Sequence, residues 1–310
     1  MSAGARVLGF LAALALIFAA AALAGNAIDP SVEGGSDGHE AMDASAPEAT
    51  TAHDAMATSS EEGSVLPGLA STQDGYRLIA ERTRLRAGGD ESYSFRIGGP
   101  AGEIVESFDL EHERLMHLIV VRRDFEAFQH VHPRQLADGS WRAGIDVREP
   151  GVYRVFADFV TEGRALTLAT DLFVPGRFKP EPLPAASRSA DAGDGYTVAL
   201  RSPPARSGAT APVRFTIRRD GRRLASVQPY LGADGHLVAL RAGDQAFLHV
   251  HPEGEAGGSG PISFGVEYPT PGRYRLFLQF RHADRVRTAA FTQEVTAGSE
   301  PVGGSSHGEH

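Results

Sequence analysis

The sequence predicts an all-β chain: two tandem β-sandwich domains behind an N-terminal hydrophobic segment and a disordered linker. Three observations predict this. Short apolar segments alternate with period two and are punctuated by turn residues; no convincing helical period follows the N-terminus; and the second half of the chain repeats the first at a near-constant offset.

Composition sets the outer limits. The chain has 310 residues, a formal charge of −9, twelve histidines and no cysteine. The missing cysteines exclude disulfide scaffolds, Cys-ligated zinc ribbons, thiol catalysis and CxxC redox chemistry. Nucleic acid is not an expected partner, because such binding needs a basic footprint. The charge is also concentrated: from Asn26 to Asp74 there are ten acids and no Lys or Arg.

The first element is residues 1–25, a signal peptide or membrane anchor. A weakly positive start at Met1–Arg6 precedes an uncharged apolar run from Val7 to Ala24, and Ala22-Leu23-Ala24 gives a small-x-small cleavage pattern. Either form places the rest of the protein outside the cytoplasm, secreted or held at the membrane. Residues 26–70 follow as an acidic tether too polar to bury a core. Within it His39-Glu40-Ala41-Met42 recurs as His53-Asp54-Ala55-Met56. Such a His/Met mixture can hold copper loosely, since thioether suits Cu(I) and imidazole suits both redox states. Compositional accident in a biased segment is the favoured reading of the pattern.

The duplication organises the remainder. Asp74-Gly75-Tyr76 returns as Asp194-Gly195-Tyr196, and Phe95-Arg96-Ile97 as Phe215-Thr216-Ile217. His117, His130 and His132 return as His236, His249 and His251. Pro150-Gly151-Val152-Tyr153-Arg154 returns as Pro271-Gly272-Arg273-Tyr274-Arg275. Residues 71–176 and 195–297 are therefore expected as two β-sandwich repeats. Residues 177–194, with Pro180, Pro182 and Pro184, read as a semi-rigid linker. Residues 298–310 read as a disordered tail.

Each repeat carries His-x12-His-x-His-Pro. In a strand, residues i and i+2 share a face about 6.5–7 Å apart. His130 and His132 then point together, as do His249 and His251. Hairpin partners have a constant index sum. Pairing His236 with His249 or His251 centres a turn on Ala242-Gly243-Asp244; pairing His117 with His130 centres one on Arg123-Asp124. All three imidazoles of each repeat should converge, giving one three-histidine site per repeat. Three imidazoles with an open position suit copper or, second, zinc. Asp158, Gln279, Glu253 and Glu255 are possible further ligands. Met116 should face away. A structural role is the competing reading, because Phe128 and Phe247 share the triads' face and the histidines could sit in an aromatic core.

His117-Leu118-Ile119-Val120-Val121, Gln129-His130-Val131-His132-Pro133 and Pro150-Gly151-Val152-Tyr153-Arg154-Val155-Phe156 resemble exported bacterial proteins built from YtkA-like or CopC-like β-sandwiches. The resemblance spans roughly residues 70–296. It implies an Ig-like or CopC-like sandwich associated with heavy-metal or copper handling. The mature N-terminal histidine and Asp-x-His of CopC-type copper sites are not evident, so that mechanism is not carried over.

Two other classes remain open. Gly243-x5-His249-x-His251-x3-Glu255 fits half of a first cupin motif, but the second motif fails, so no catalytic activity is expected. An envelope structural or interaction module would use the triads as core features. Its partner would be an envelope protein, whereas a metal carrier would need a metal donor or acceptor. His112 and His282 have no counterpart in the other repeat and are expected at the surface.

Overall fold

The structure, a computed structural model, describes residues 66–254 and 256–298. The expected N-terminal segment, nearly all of the acidic linker with His39, Met42, His53 and Met56, the C-terminal tail beyond Gly298, and Glu255 lie outside the described residues. Among the described residues every regular element is a strand, and no helix is long and apolar enough to cross a membrane.

Repeat 1 contains β1 (Thr72–Gln73), β2 (Tyr76–Ala80), β3 (Asp90–Gly98), β4 (His117–Arg122), β5 (Gln129–Val131), β6 (Arg134–Gln135), β7 (Trp141–Asp146), β8 (Gly151–Thr161) and β9 (Arg164–Val174). One sheet runs β1-β2-β3-β7-β6 and the other β5-β4-β8-β9. Repeat 2 contains β10 (Ser189–Asp191), β11 (Tyr196–Arg201), β12 (Ala205–Arg206), β13 (Thr210–Arg219), β14 (Arg222–Arg223), β15 (His236–Arg241), β16 (Val250–Glu253), β17 (Ile262–Glu267), β18 (Gly272–His282) and β19 (Arg285–Thr296). Its sheets run β10-β11-β13-β17-β16, with β14 beside β13, and β12-β19-β18-β15. Strand β10 falls inside the segment expected as linker, because Ser189 pairs with Ala199 and Ala190 packs on the repeat 2 core.

Alternation builds both sandwiches. Tyr93, Phe95 and Ile97 of β3 point inward, as do Val213, Phe215 and Ile217 of β13, while their neighbours face out. Trp141 and Phe159 fill the repeat 1 core, each edge-on to Phe108. Each repeat also has a tyrosine corner: Tyr153 O–H donates to the Glu149 carbonyl and Tyr274 O–H to the Thr270 carbonyl, both four residues back.

One layer has no counterpart in a single sandwich. Strand β4 is buried at all six residues. Leu118 and Val120 face the repeat 1 core, whereas Ile119 and Val121 face a separate apolar cluster with Phe125, Phe156, Ala169, Val238, Leu240 and Phe277. That cluster draws on both repeats, so the two four-stranded sheets pack face to face. Phe128 stacks on Phe277 with ring centroids 4.0 Å apart. Burying each large apolar side chain is worth about 1.5–3 kcal/mol, which makes this layer a strong joint. The segment before β1 helps close it: Phe247 N–H donates to the Pro67 carbonyl and Gly68 N–H to the Thr167 carbonyl. Gly68 takes φ +71°, and a Cβ there would lie 2.7 Å from the Phe156 ring.

Candidate metal centre

The histidines gather at the edge of this shared layer. In repeat 1 the hairpin pairs Ile119 with His130 and Leu118 with Val131. The turn centre lies one residue beyond the expected Arg123-Asp124, and the same-face relation of His117, His130 and His132 is unaffected. These residues share the outward face with Ile119 and Val121. In repeat 2, His236 shares the outward face of β15 with Val238 and Leu240. Face-to-face packing therefore brings His236 to the repeat 1 histidines.

Ring centroids are 5.2 Å apart for His117 and His130, 4.6 Å for His130 and His236, and 5.6 Å for His117 and His236, whose rings lie parallel within 6°. One ring nitrogen from each of His117, His130 and His236 comes within 4.8 Å of the other two. His132 adjoins them at 4.9 Å from His130 and 5.1 Å from His117. Its Nε2 is buried without a hydrogen-bond partner. The repeat 1 triad thus converges as expected and is joined by His236, whereas the expected repeat 2 triad does not form; among the described residues the convergent group is one, shared between repeats.

His249 and His251 are not in it. The repeat 2 hairpin forms, pairing Leu240 with Phe247 around the expected turn. After Leu248 the chain crosses to the other sheet, where Val250 pairs with Val266 and His251 with Gly265. The crossing buries Val250 against the repeat 2 core. His249 and His251 are left exposed beside one another, with centroids 4.1 Å apart. Glu253 is exposed at the end of the same strand. Asp158 stands across from His117 in the sheet register and accepts a hydrogen bond from Thr167 Oγ1 at 2.7 Å, outside the convergent group. Its repeat 2 counterpart Gln279 reaches across the joint instead.

The hydrogen bonds define which nitrogens are free. His117 Nε2–H donates to the Glu111 carbonyl at 3.1 Å, since a carbonyl can only accept. His130 Nδ1–H donates to Gln279 Oε1 at 2.7 Å, while the Gln279 amide N–H turns to Thr288 Oγ1. Burial pushes His117 down to about 4 and His130 to about 3, and holds His236 well below the ordinary histidine range; neighbouring imidazoles add to each shift. Both rings are thus neutral at pH 7. His117 Nδ1 and His130 Nε2 face each other at 3.0 Å, a separation that either a shared hydrogen or a bridging ion accommodates. Ligands about 2.0–2.1 Å from one tetrahedral zinc stand about 3.3 Å from one another; His117 and His130 stand at 3.0 Å, and the three nitrogens lie within 4.8 Å. Outer nitrogens fixed on carbonyl or amide oxygens are the usual second layer of a histidine metal site. The donor set fits an imidazole-bound transition metal.

Sequence reasoning missed His112. Its ring lies 6.1 Å from His117 and 5.7 Å from His236. Its repeat 2 counterpart is Leu231, so duplication gave no signal for it. His282, by contrast, serves the fold, its Nδ1 lying 2.7 Å from Tyr196 Oη. Of the half-cupin residues, His251 lies on the exposed sandwich strand β16, His249 just before it and Gly243 in the preceding turn.

The fold and the shared layer define a class: two duplicated β-sandwiches with a histidine group at their joint. The chain belongs to the family described as Domain of unknown function (DUF8832), which matches residues 71–176 and 190–297. No curated protein sequence matches the chain. Among solved structures, it is similar to the Escherichia coli adhesin FdeC at 14% identity, covering 75% of this chain and 66% of that one with a TM-score of 0.25. It is similar to the bacterial integrin-binding protein invasin at 13% identity, covering 73% and 40% with a TM-score of 0.23. For a Salmonella alpha-2-macroglobulin the figures are 12%, 74%, 15% and 0.24. The chain thus spans less than two thirds of each of these proteins.

Proposed function

We propose that the protein is an extracytoplasmic, non-catalytic metal carrier that binds one copper ion, or less favourably zinc, between its repeats through His117, His130 and His236. The carrying observation is the convergence of three imidazoles from two repeats, with one nitrogen each of His117, His130 and His236 within 4.8 Å of the others and His117 Nδ1 3.0 Å from His130 Nε2. Copper(II) leads because it binds imidazole more strongly than other first-row divalent ions. The resemblance to YtkA-like and CopC-like proteins supports a role in sequestration or delivery outside the membrane. A metal donor or acceptor would be the partner.

A second reading rests on the same joint. The bond from His130 to Gln279 ties the repeats together, so the histidines could serve only as a clasp in an envelope interaction module. Titrating the full chain with Cu(II), and separately with Zn(II), followed by metal analysis decides between them. One equivalent should disappear in both His130→Ala and His236→Ala, although they lie in different repeats, and should survive in His249→Ala. Retention of that equivalent in the first two variants would overturn the carrier reading. Variants that merely lose stability, beside an unaltered chain that binds no ion, would establish the clasp.

A further inference from the structure

We propose that His112 is the gateway ligand, the imidazole that receives an incoming ion at the surface and passes it to the buried nitrogens. The proposal rests on the reading of His117, His130 and His236 as a metal centre. His117 is only 2% exposed, so an ion cannot reach it from water directly. His112 is partly exposed, and its ring adjoins both His117 and His236. His112 and His236 share the lining of a narrow cleft of about 20 Å³, with Leu231, Gly235 and Pro252 beside them. It has room for roughly one water-sized species.

The backbone holds His112 there. Glu111 and Arg114 exchange two backbone hydrogen bonds of 2.9 Å around a two-residue turn. His112 and Glu113 at its tip take φ +45° and +63°. Turns with two positive φ values favour Asn-Gly; His tolerates the left-handed region better than most residues, and Glu113 does not share that tolerance. The equivalent turn of repeat 2, Tyr230 to Ala233, has Leu231 at +57° and Gly232 at +78°. Leu231 is 3% exposed and closes its side of the cleft with an apolar side chain. One of two equivalent turns thus plugs the joint, and the other puts a metal-binding group at its mouth. Glu111, whose carbonyl anchors His117 Nε2–H, immediately precedes His112 and links the turn to the centre.

The test is kinetic. His112→Asn keeps a residue that tolerates the turn, so folding is preserved. Loading of the full chain with Cu(II), and its extraction by a soluble chelator, would be followed in time for the unaltered protein and the variant. A gateway ligand lowers the barrier in both directions, so both rates should fall by about tenfold with the equilibrium affinity unchanged. Unchanged rates would overturn the proposal. So would weaker affinity with faster release, which would make His112 an ordinary ligand. Failure of the unaltered protein to bind Cu(II) would remove the metal centre itself, and failure only of the rate effect would leave that centre standing.

Discussion

Acidification of the metal-free protein from pH 7 to pH 5 should destabilise it. His117 and His130 are held near 4 and 3 in the fold, against about 6.5 in the unfolded chain. Below pH 6.5 the unfolded chain therefore takes up protons that the folded protein refuses, and stability falls with pH until the folded values are reached. Each of these two histidines costs about 2 kcal/mol over this range. Asp158 acts with the opposite sign, since burial pushes it up to about 7 and the fold prefers its protonated form. It returns about 2 kcal/mol over the same interval. The histidines prevail by about 2 kcal/mol, before His132, pushed to about 4, and His236 add in the same direction. A loss of that size lowers the melting temperature by about 4–8 °C in a fold of this length. Thermal unfolding followed by circular dichroism at pH 7, 6 and 5, with chelator present, measures it directly. Asp158→Asn should steepen the fall. A melting temperature that is flat or rising between pH 7 and pH 5 would refute the reasoning, because the histidines would then be hydrated or already charged.

Two substitutions test the joint without removing a ligand. Phe277→Ala removes a ring that is 2% exposed and stacked on Phe128, so it should cost about 3–5 kcal/mol in denaturant unfolding. Because it loosens the packing that holds His236 beside His130, it should also weaken Cu(II) binding in a titration; undiminished affinity would mean the centre does not depend on the joint. Gln279→Leu removes the acceptor for His130 Nδ1–H and should lower metal affinity by about 10–100-fold while the unaltered ligands remain, as isothermal titration would show.

The sandwiches were legible because each inward strand face leaves a period-two trace, and because duplication supplies a second copy against which to check it. Register was legible too: the repeat 1 hairpin turned one residue later than expected, yet His117, His130 and His132 kept one face. The location of the centre was not legible. Its signal was present in Leu118-Ile119-Val120-Val121, an unbroken apolar run that alternates between two cores and so marks a strand covered on both sides. What covers the second side has no periodicity of its own. The early crossing of the chain after Leu248 was equally silent, since Val131 and Val250 are the same residue in matched positions but belong to different sheets. His112 and the Glu111 carbonyl were invisible for a simpler reason: the first lacks a repeat partner, and the second is backbone.

The joint itself explains why one centre replaces two. Matched residues of the two repeats fall in one cluster across it, Ile119 and Val238, Val121 and Leu240, Phe156 and Phe277, Ala169 and Ala290, and the contact of Phe128 with Phe277 is mirrored by that of Phe247 with Phe156. His117 and His236 are likewise matched, and their rings lie parallel at 5.6 Å. The matched turns also approach, with a Cβ on Gly232 falling 3.9 Å from the Glu113 side chain. Matched surfaces meeting each other are the mark of a two-fold, self-complementary interface, here within one chain. On such an axis a histidine from each repeat meets its own counterpart, so two half-sites coincide as one. Repeat 1 keeps His130 and His132 on the shared face, while repeat 2 supplies His236 and Gln279 and carries His249 and His251 away on β16. The duplication thus permits an asymmetric group: one repeat provides most of the imidazoles, and the other provides His236 and the Gln279 amide that meets His130.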